Sequence, residues 1–141
     1  MLNDGLKLKG HVSIKVNGEV VQEIPNLVVT TGKNYVASRI KDATATAMSH
    51  MAIGTSSTTP AAANTTLGAE AGRVTLTSTT VTNNQIAYVA TFGAGTGTGA
   101  IVEAGLFNAS SGGTLLCRTT FSTVNKGASD SMTITWTVTV S

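Results

Sequence analysis

The C-terminal stretch "SMTITWTVTV" alternates without a break: Met132, Ile134, Trp136, Val138 and Val140 share one parity, and threonines take the other. Successive side chains of a strand point to opposite faces, so this segment reads as a strand with one face in a core and a hydroxylated face outside. The same period governs "LKLKGHVSIKV". Leu6, Leu8, Val12, Ile14 and Val16 take even positions, and Lys7, Lys9, Ser13 and Lys15 take odd ones. Asn17-Gly18 follows, the dipeptide that best tolerates positive φ at both centres of a type I′ turn, and "EVVQEI" returns. Residues 6–24 are therefore expected to form a hairpin ended by Pro25-Asn26, with residues 1–24 as an N-terminal arm and hairpin.

Further strands are expected at 51–55, 73–82, 85–92, 100–108, 114–122 and 131–140, separated by Asn83-Asn84, a glycine run, Ser-Ser-Gly-Gly and Lys126-Gly127. The one helical pattern lies near 32–42, where Thr31 is placed to cap it and Tyr35, Val36, Arg39 and Ile40 fall on neighbouring faces. The chain thus reads as a single all-β domain over 1–141, an antiparallel β-sandwich of jelly-roll-like character with one short helix. Between 55 and 72 runs "SSTTPAAANTTLGAEAG", the longest irregular stretch, of a length usually functional or packed on a partner.

Composition narrows the function. Charged residues are 11% of the chain, against roughly 25% in ordinary globular proteins. Thr, Ala, Gly and Ser take their place, which gives a surface of hydroxyls with little self-repulsion, suited to packing against neighbours. A net charge of +2 from scattered basic residues, with one Trp, two Tyr and three Phe, does not make a nucleic-acid groove. A single cysteine allows no internal disulfide, no apolar run reaches the roughly 18 residues of a membrane span, and "MLNDGLKLKG" lacks the apolar centre of a signal peptide. The expectation is folding in a cytoplasm.

No pattern points to catalysis, a cofactor or a metal. "GAGTGTG" at 93–99 is followed by a strand, whereas a dinucleotide fingerprint needs a helix there. His11 and His50 stand apart with no further ligands at matching spacing, and there is no Gly-x-Ser-x-Gly elbow. Cys117 lies on an alternating strand as a small core-facing hydrophobe. The one anomaly is Glu103, a carboxylate inside the apolar run "IVEAGLF". A charge there is costly unless paired. Counting inward from the Ser110–Gly113 turn puts residue 105 opposite 118, so Glu103 lies diagonal to Arg118, about 7–8 Å away, a gap two long side chains can bridge. Arg73 is the competing partner. The reading is a structural ion pair, with Phe107, Phe121 and Trp136 meeting in the core alongside Leu106, Ile134 and Val138. Leu106 and Phe107, being adjacent, should face opposite ways, leaving one under the helix or at a subunit contact.

From 53 to 136 a Gly-Thr plus a Pro loop leads to Asn64, Leu67, Glu70 and Arg73. A Glu-x-Gly-Leu-Phe strand follows (Glu103, Gly105, Leu106, Phe107), then Gly112-Gly113, Arg118, Phe121, Lys126, Ile134 and Trp136. On these residues the chain resembles a group of small virion structural proteins of tailed bacteriophages. The resemblance implies a β-sandwich that assembles, commonly as a homotrimer, without catalytic, cofactor or metal residues. It implies residence in the virion after assembly in the bacterial host cytoplasm. Such modules serve as capsid decoration (cement) proteins that stabilise the head shell by binding the major capsid protein, or as tail-fibre or baseplate components. The absence of a shaft repeat favours decoration. The N-terminal 50 residues lie outside the pattern and are expected to carry attachment. Lys7, Lys9, His11 and Lys15 share one face of the hairpin, and with the arm Met1–Gly5 they form the candidate surface for an acidic partner, the 55–72 loop being the alternative.

Overall fold

The computed structural model describes residues 5–141. Ten strands and one helix follow in the order β1 (Leu8–Val16), β2 (Glu19–Pro25), β3 (Leu27–Val28), α1 (Thr30–Lys41), β4 (His50–Gly54), β5 (Glu70–Thr75), β6 (Ser78–Thr82), β7 (Gln85–Phe92), β8 (Gly99–Phe107), β9 (Leu115–Lys126) and β10 (Met132–Val140). They build two five-stranded antiparallel sheets, β2-β1-β10-β7-β6 and β3-β9-β8-β4-β5. This is the all-β sandwich with one helix that the alternation predicts. The β1–β2 turn carries Asn17 at φ 50° and Gly18 at φ 86°, the left-handed pair the Asn-Gly dipeptide was read to supply.

The strictly alternating strand β10 holds the middle of the first sheet, with Trp136 between Val12 of β1 and Tyr88 of β7. Trp136, Ile134 and Met132 are fully buried, and Leu106, Ile101 and Ile53 of the second sheet complete the interior. Leu106 and Phe107 do face opposite ways. Leu106 enters the interior, while Phe107 joins Val29, Ala52, Leu67 and Leu115 in a separate cluster on the outer side of the second sheet. Phe107 thus leaves the expected common core, because its parity on β8 is that of Glu103. Phe107 is buried within its own chain, grouped with Leu67 of the long loop and with Arg73 stacked 3.7 Å from its ring centroid. Phe121 is only half-buried, packed against the rim of the main core.

Three expected elements shift. The run 73–82 is two strands in different sheets, β5 in the second and β6 in the first. At the crossing, Leu76 donates to Ser49 and Thr77 to Val89, so backbone pairing changes sheet with no glycine or proline to announce it. Helix α1 begins at Thr30 behind Val29, and Thr31 is no cap. Its hydroxyl donates instead to the Leu115 carbonyl at 2.9 Å, tying the first turn to β9. The helix packs there through Gly32, whose missing Cβ leaves room for the Leu116 carbonyl. Strand β9 runs on to Lys126, and the buried ammonium of that residue donates to the Gly93 carbonyl at 2.8 Å.

Candidate functional site

Period two places Glu103, Gly105 and Phe107 on the outer face of β8, and antiparallel register sets Gly54 beside Glu103, Ala52 beside Gly105 and Arg118 across from Gly105. The sequence-derived pairing of 105 with 118 is the observed one. It survives a bulge at Leu106/Phe107 that shifts the pairing nearer the turn. Over this face lies the loop Thr55–Ala69, and glycines make the approach possible. A Cβ on Gly54 would collide with the Ala69 carbonyl and come within 2.6 Å of the Glu103 carboxylate, and one on Gly105 would sit 2.8 Å from Leu67.

Glu103 is wholly buried, and both of its oxygens are occupied. Oε1 accepts from Gly68 N (2.8 Å) and from Arg118 Nη2 (3.0 Å) and Nε (3.2 Å). Oε2 accepts from Ala69 N (2.8 Å) and Ser56 N (2.9 Å). The remaining terminal nitrogen of Arg118 donates to Asn64 Oδ1 at 3.2 Å, and that oxygen also accepts from Ala61 N. One carboxylate and one guanidinium therefore hold both ends and the middle of the loop. Of the two partners the sequence allowed, Arg118 is the one used. Arg73 instead pairs with Glu70 at 2.7 and 3.1 Å and donates to the Ala109 and Gly112 carbonyls, which secures the β8–β9 turn.

Burial alone would raise the Glu103 pKa, but the amides of Gly68, Ala69 and Ser56, followed by the Arg118 guanidinium, outweigh it and hold the carboxyl below its ordinary 4.5. A carboxyl depressed on folding contributes stability that is complete above the unfolded value and is lost as pH falls through the folded one. The melting temperature is therefore expected to hold down to about pH 4.5 and to drop progressively below it. Half-exposed Asp42, drawn down to about 2 chiefly by hydrogen bonds from Thr44 and Lys41, acts in the same direction. The discriminating measurement is a pH series of thermal melts. Asp42→Asn should leave most of the acid limb intact, whereas Glu103→Gln should flatten it. An unchanged limb in Glu103→Gln would remove the Glu103 carboxylate as its cause.

The arrangement binds chain to chain. Five donors converge on the two oxygens of Glu103, so the group is committed to holding rather than to proton transfer. Among the described residues no three His, Cys, Asp or Glu side chains converge on a point where a cation would sit. No described helix is long and apolar enough to cross a membrane.

A second feature lies at the end of the sandwich beside α1. Two adjoining depressions, of about 360 and 780 Å³, share Leu8, Val36, Ile40 and Val140 as walls. The first opens toward the interior past Tyr35 and Tyr88; burial, then the neighbouring Tyr35, pushes the Tyr88 phenol up to about 12. The second is lined by Leu6 and by Lys7, Lys9 and Lys33. Of the lysine face expected on the hairpin, Lys7 and Lys9 thus border this groove, while His11 and Lys15 are exposed further along β1. The arm Met1–Gly5 falls, but for Gly5, outside the described residues. Lys33 was missed in the sequence because helix and strand meet here only in three dimensions. Asn64 and the amides of Ser56, Gly68 and Ala69 were missed as Glu103–Arg118 partners because a loop has no periodicity to reveal where its backbone points.

No family model matches the chain, and no match was found among curated proteins or solved structures.

Proposed function

We propose that the chain is a non-enzymatic structural protein of a tailed-phage particle, a decoration protein that stabilises the head shell by binding the major capsid protein as a homotrimer. The observation that carries this reading is how the polar residues of the phage-like pattern are used. Asn64, Glu70, Arg73, Glu103, Arg118 and Lys126 all hydrogen-bond within the chain, and all but Glu70, which pairs with Arg73 on its own strand, pin a loop or turn to the sandwich. A pattern whose charged groups are consumed in this way preserves a shape. The outer faces of the strands stay rich in threonine and poor in charge, which suits dense packing on a particle.

Quantitative mass spectrometry of purified particles tests the reading. A copy number of the same order as that of the shell protein is expected. A few copies per particle would instead favour a tail-fibre or baseplate component. Absence from the particle would end the structural-protein reading altogether.

A further inference from the structure

The large apolar side chains left exposed fall into two groups. Leu6 (71% exposed), Ile40 (74%) and Val81 (69%) surround the two depressions beside α1. Val20 (54%) and Val21 (48%) lie on β2, with Leu27 just beyond on β3. Apart from Lys15, which stands on β1 opposite Val20, the free charges divide along the same line. Lys7, Lys9 and Lys33 line the groove, and no carboxylate among the described residues pairs with them. Of the described acids, Glu70 and Glu103 are in ion pairs with arginines, Asp42 with Lys41, and Asp130 is held by Asn17 and Gly127. Only Glu19 and Glu23 remain, and both are exposed on β2, beside Val20 and Val21.

We infer that copies of this chain associate head to tail, the β2 edge of one copy (Glu19, Val20, Val21, Glu23) seating in the groove of the next between Leu6, Ile40 and the three lysines. Three features of the fold support this occupant. β2 is the edge strand of its sheet; the Pro25 carbonyl accepts from Thr119 and the Gln22 side chain is tied to Ser122 of β9, but the backbone of Glu19–Glu23 pairs only with β1, so that edge can meet another surface. β2 pairs with β1 only from His11 onward, which leaves Leu8 and Lys9 beside the groove with no strand on that side. The two patches sit at opposite ends of β1, whose eight steps from Leu8 to Val16 span about 26 Å. One chain therefore cannot satisfy its own groove. Two different patches joined in this way make a heterologous contact, which closes into a ring when the rotation allows it. The inference deepens the assembly part of the proposed function by naming the surfaces, and it leaves His11, Lys15 and the long loop for the shell.

The test uses the full chain in sedimentation and light scattering. The unmodified protein should have a mass several times that of the 14.3 kDa chain, falling as salt is raised. Glu19→Lys with Glu23→Lys should reduce it to a single chain, and so should Lys7→Glu with Lys9→Glu and Lys33→Glu. Mixing the two variants is the decisive step. The first keeps its groove and the second keeps its β2 edge, and the two reversed surfaces are also complementary to each other, so together they should regain a mass of two chains or more. A single-chain mass for the unmodified protein would overturn the inference, as would an undiminished mass in either variant or a mixture that stays unpaired. Thermal melts check that each variant is folded. If a charge reversal unfolds, Val20→Ser with Val21→Ser on one side and Ile40→Ser on the other repeat the same cross. A protein abundant on particles but of single-chain mass would sink this inference and the trimer, and leave the particle-protein reading standing. One that self-associates but is absent from particles would sink only the proposed function.

Discussion

Glutamine in place of Glu103 is expected to cost about 3–5 kcal/mol, because removing one member of a buried ion pair leaves the other uncompensated. The substitution changes shape very little, so the loss reports charge and hydrogen bonding. The amide's NH₂ would face donors already aimed at an acceptor: Ser56 and Ala69 on one side, or Gly68 and Arg118 on the other. Urea unfolding at neutral pH measures the loss, and limited proteolysis locates it, with new cleavage expected within 55–69. Replacing Glu103 and Arg118 together by methionine should recover part of the cost, since no charge is then left buried, but not all of it. The three loop amides would still have lost their acceptor. A cost below about 1 kcal/mol for Glu103→Gln would mean that the loop is held by Leu67 and its own turns instead.

Trp136→Ala should be comparably severe, at about 3–5 kcal/mol, for an unrelated reason. Its indole is fully buried in the central strand of the first sheet, flanked by Val12 and Tyr88, so truncation opens a cavity that two strands must collapse to fill. The indole Nε1 has no hydrogen-bond partner in its buried setting. Phenylalanine removes that orphaned donor while keeping most of the ring, so Trp136→Phe should cost less than half of what alanine does. Equilibrium unfolding followed by circular dichroism compares the two, since the fluorophore is lost in both. Equal costs would mean that the whole ring volume, rather than a ring of any kind, is needed.

The parts of the fold legible in the sequence are those governed by period two. β10, the β1–β2 hairpin and the pairing of Gly105 with Arg118 all follow from counting parity and turns. So does the ion pair, because a carboxylate in an apolar run must find a cation within reach of the same face. Parity also carried the information that Phe107 shares the face of Glu103 and so leaves the main core. The crossing at Leu76–Thr77 was not legible. Its residues suit a strand on either side, and which sheet a strand joins depends on partners remote in sequence. The helix start was misread for a related reason, since Thr31 has the right chemistry for a cap but its hydroxyl finds the Leu115 carbonyl. The basic groove lay beyond reach because it joins Leu6–Lys9 to α1 across the end of the sandwich.

β10 follows β1 by more than a hundred residues and lies between it and β7. During synthesis, β1 with β2 and β6 with β7 can each form a ribbon, but the first sheet has a gap until β10 emerges. Each ribbon then presents an open edge on the side where β10 belongs, and those edges are equally open to the wrong chain. Completion is a single late event, the insertion of one strand between two waiting partners. A chain stopped before Met132 would lose the join between the halves of that sheet, together with Trp136. Emergence of β10, rather than accumulation of structure along the way, therefore sets when this sheet becomes safe from aggregation.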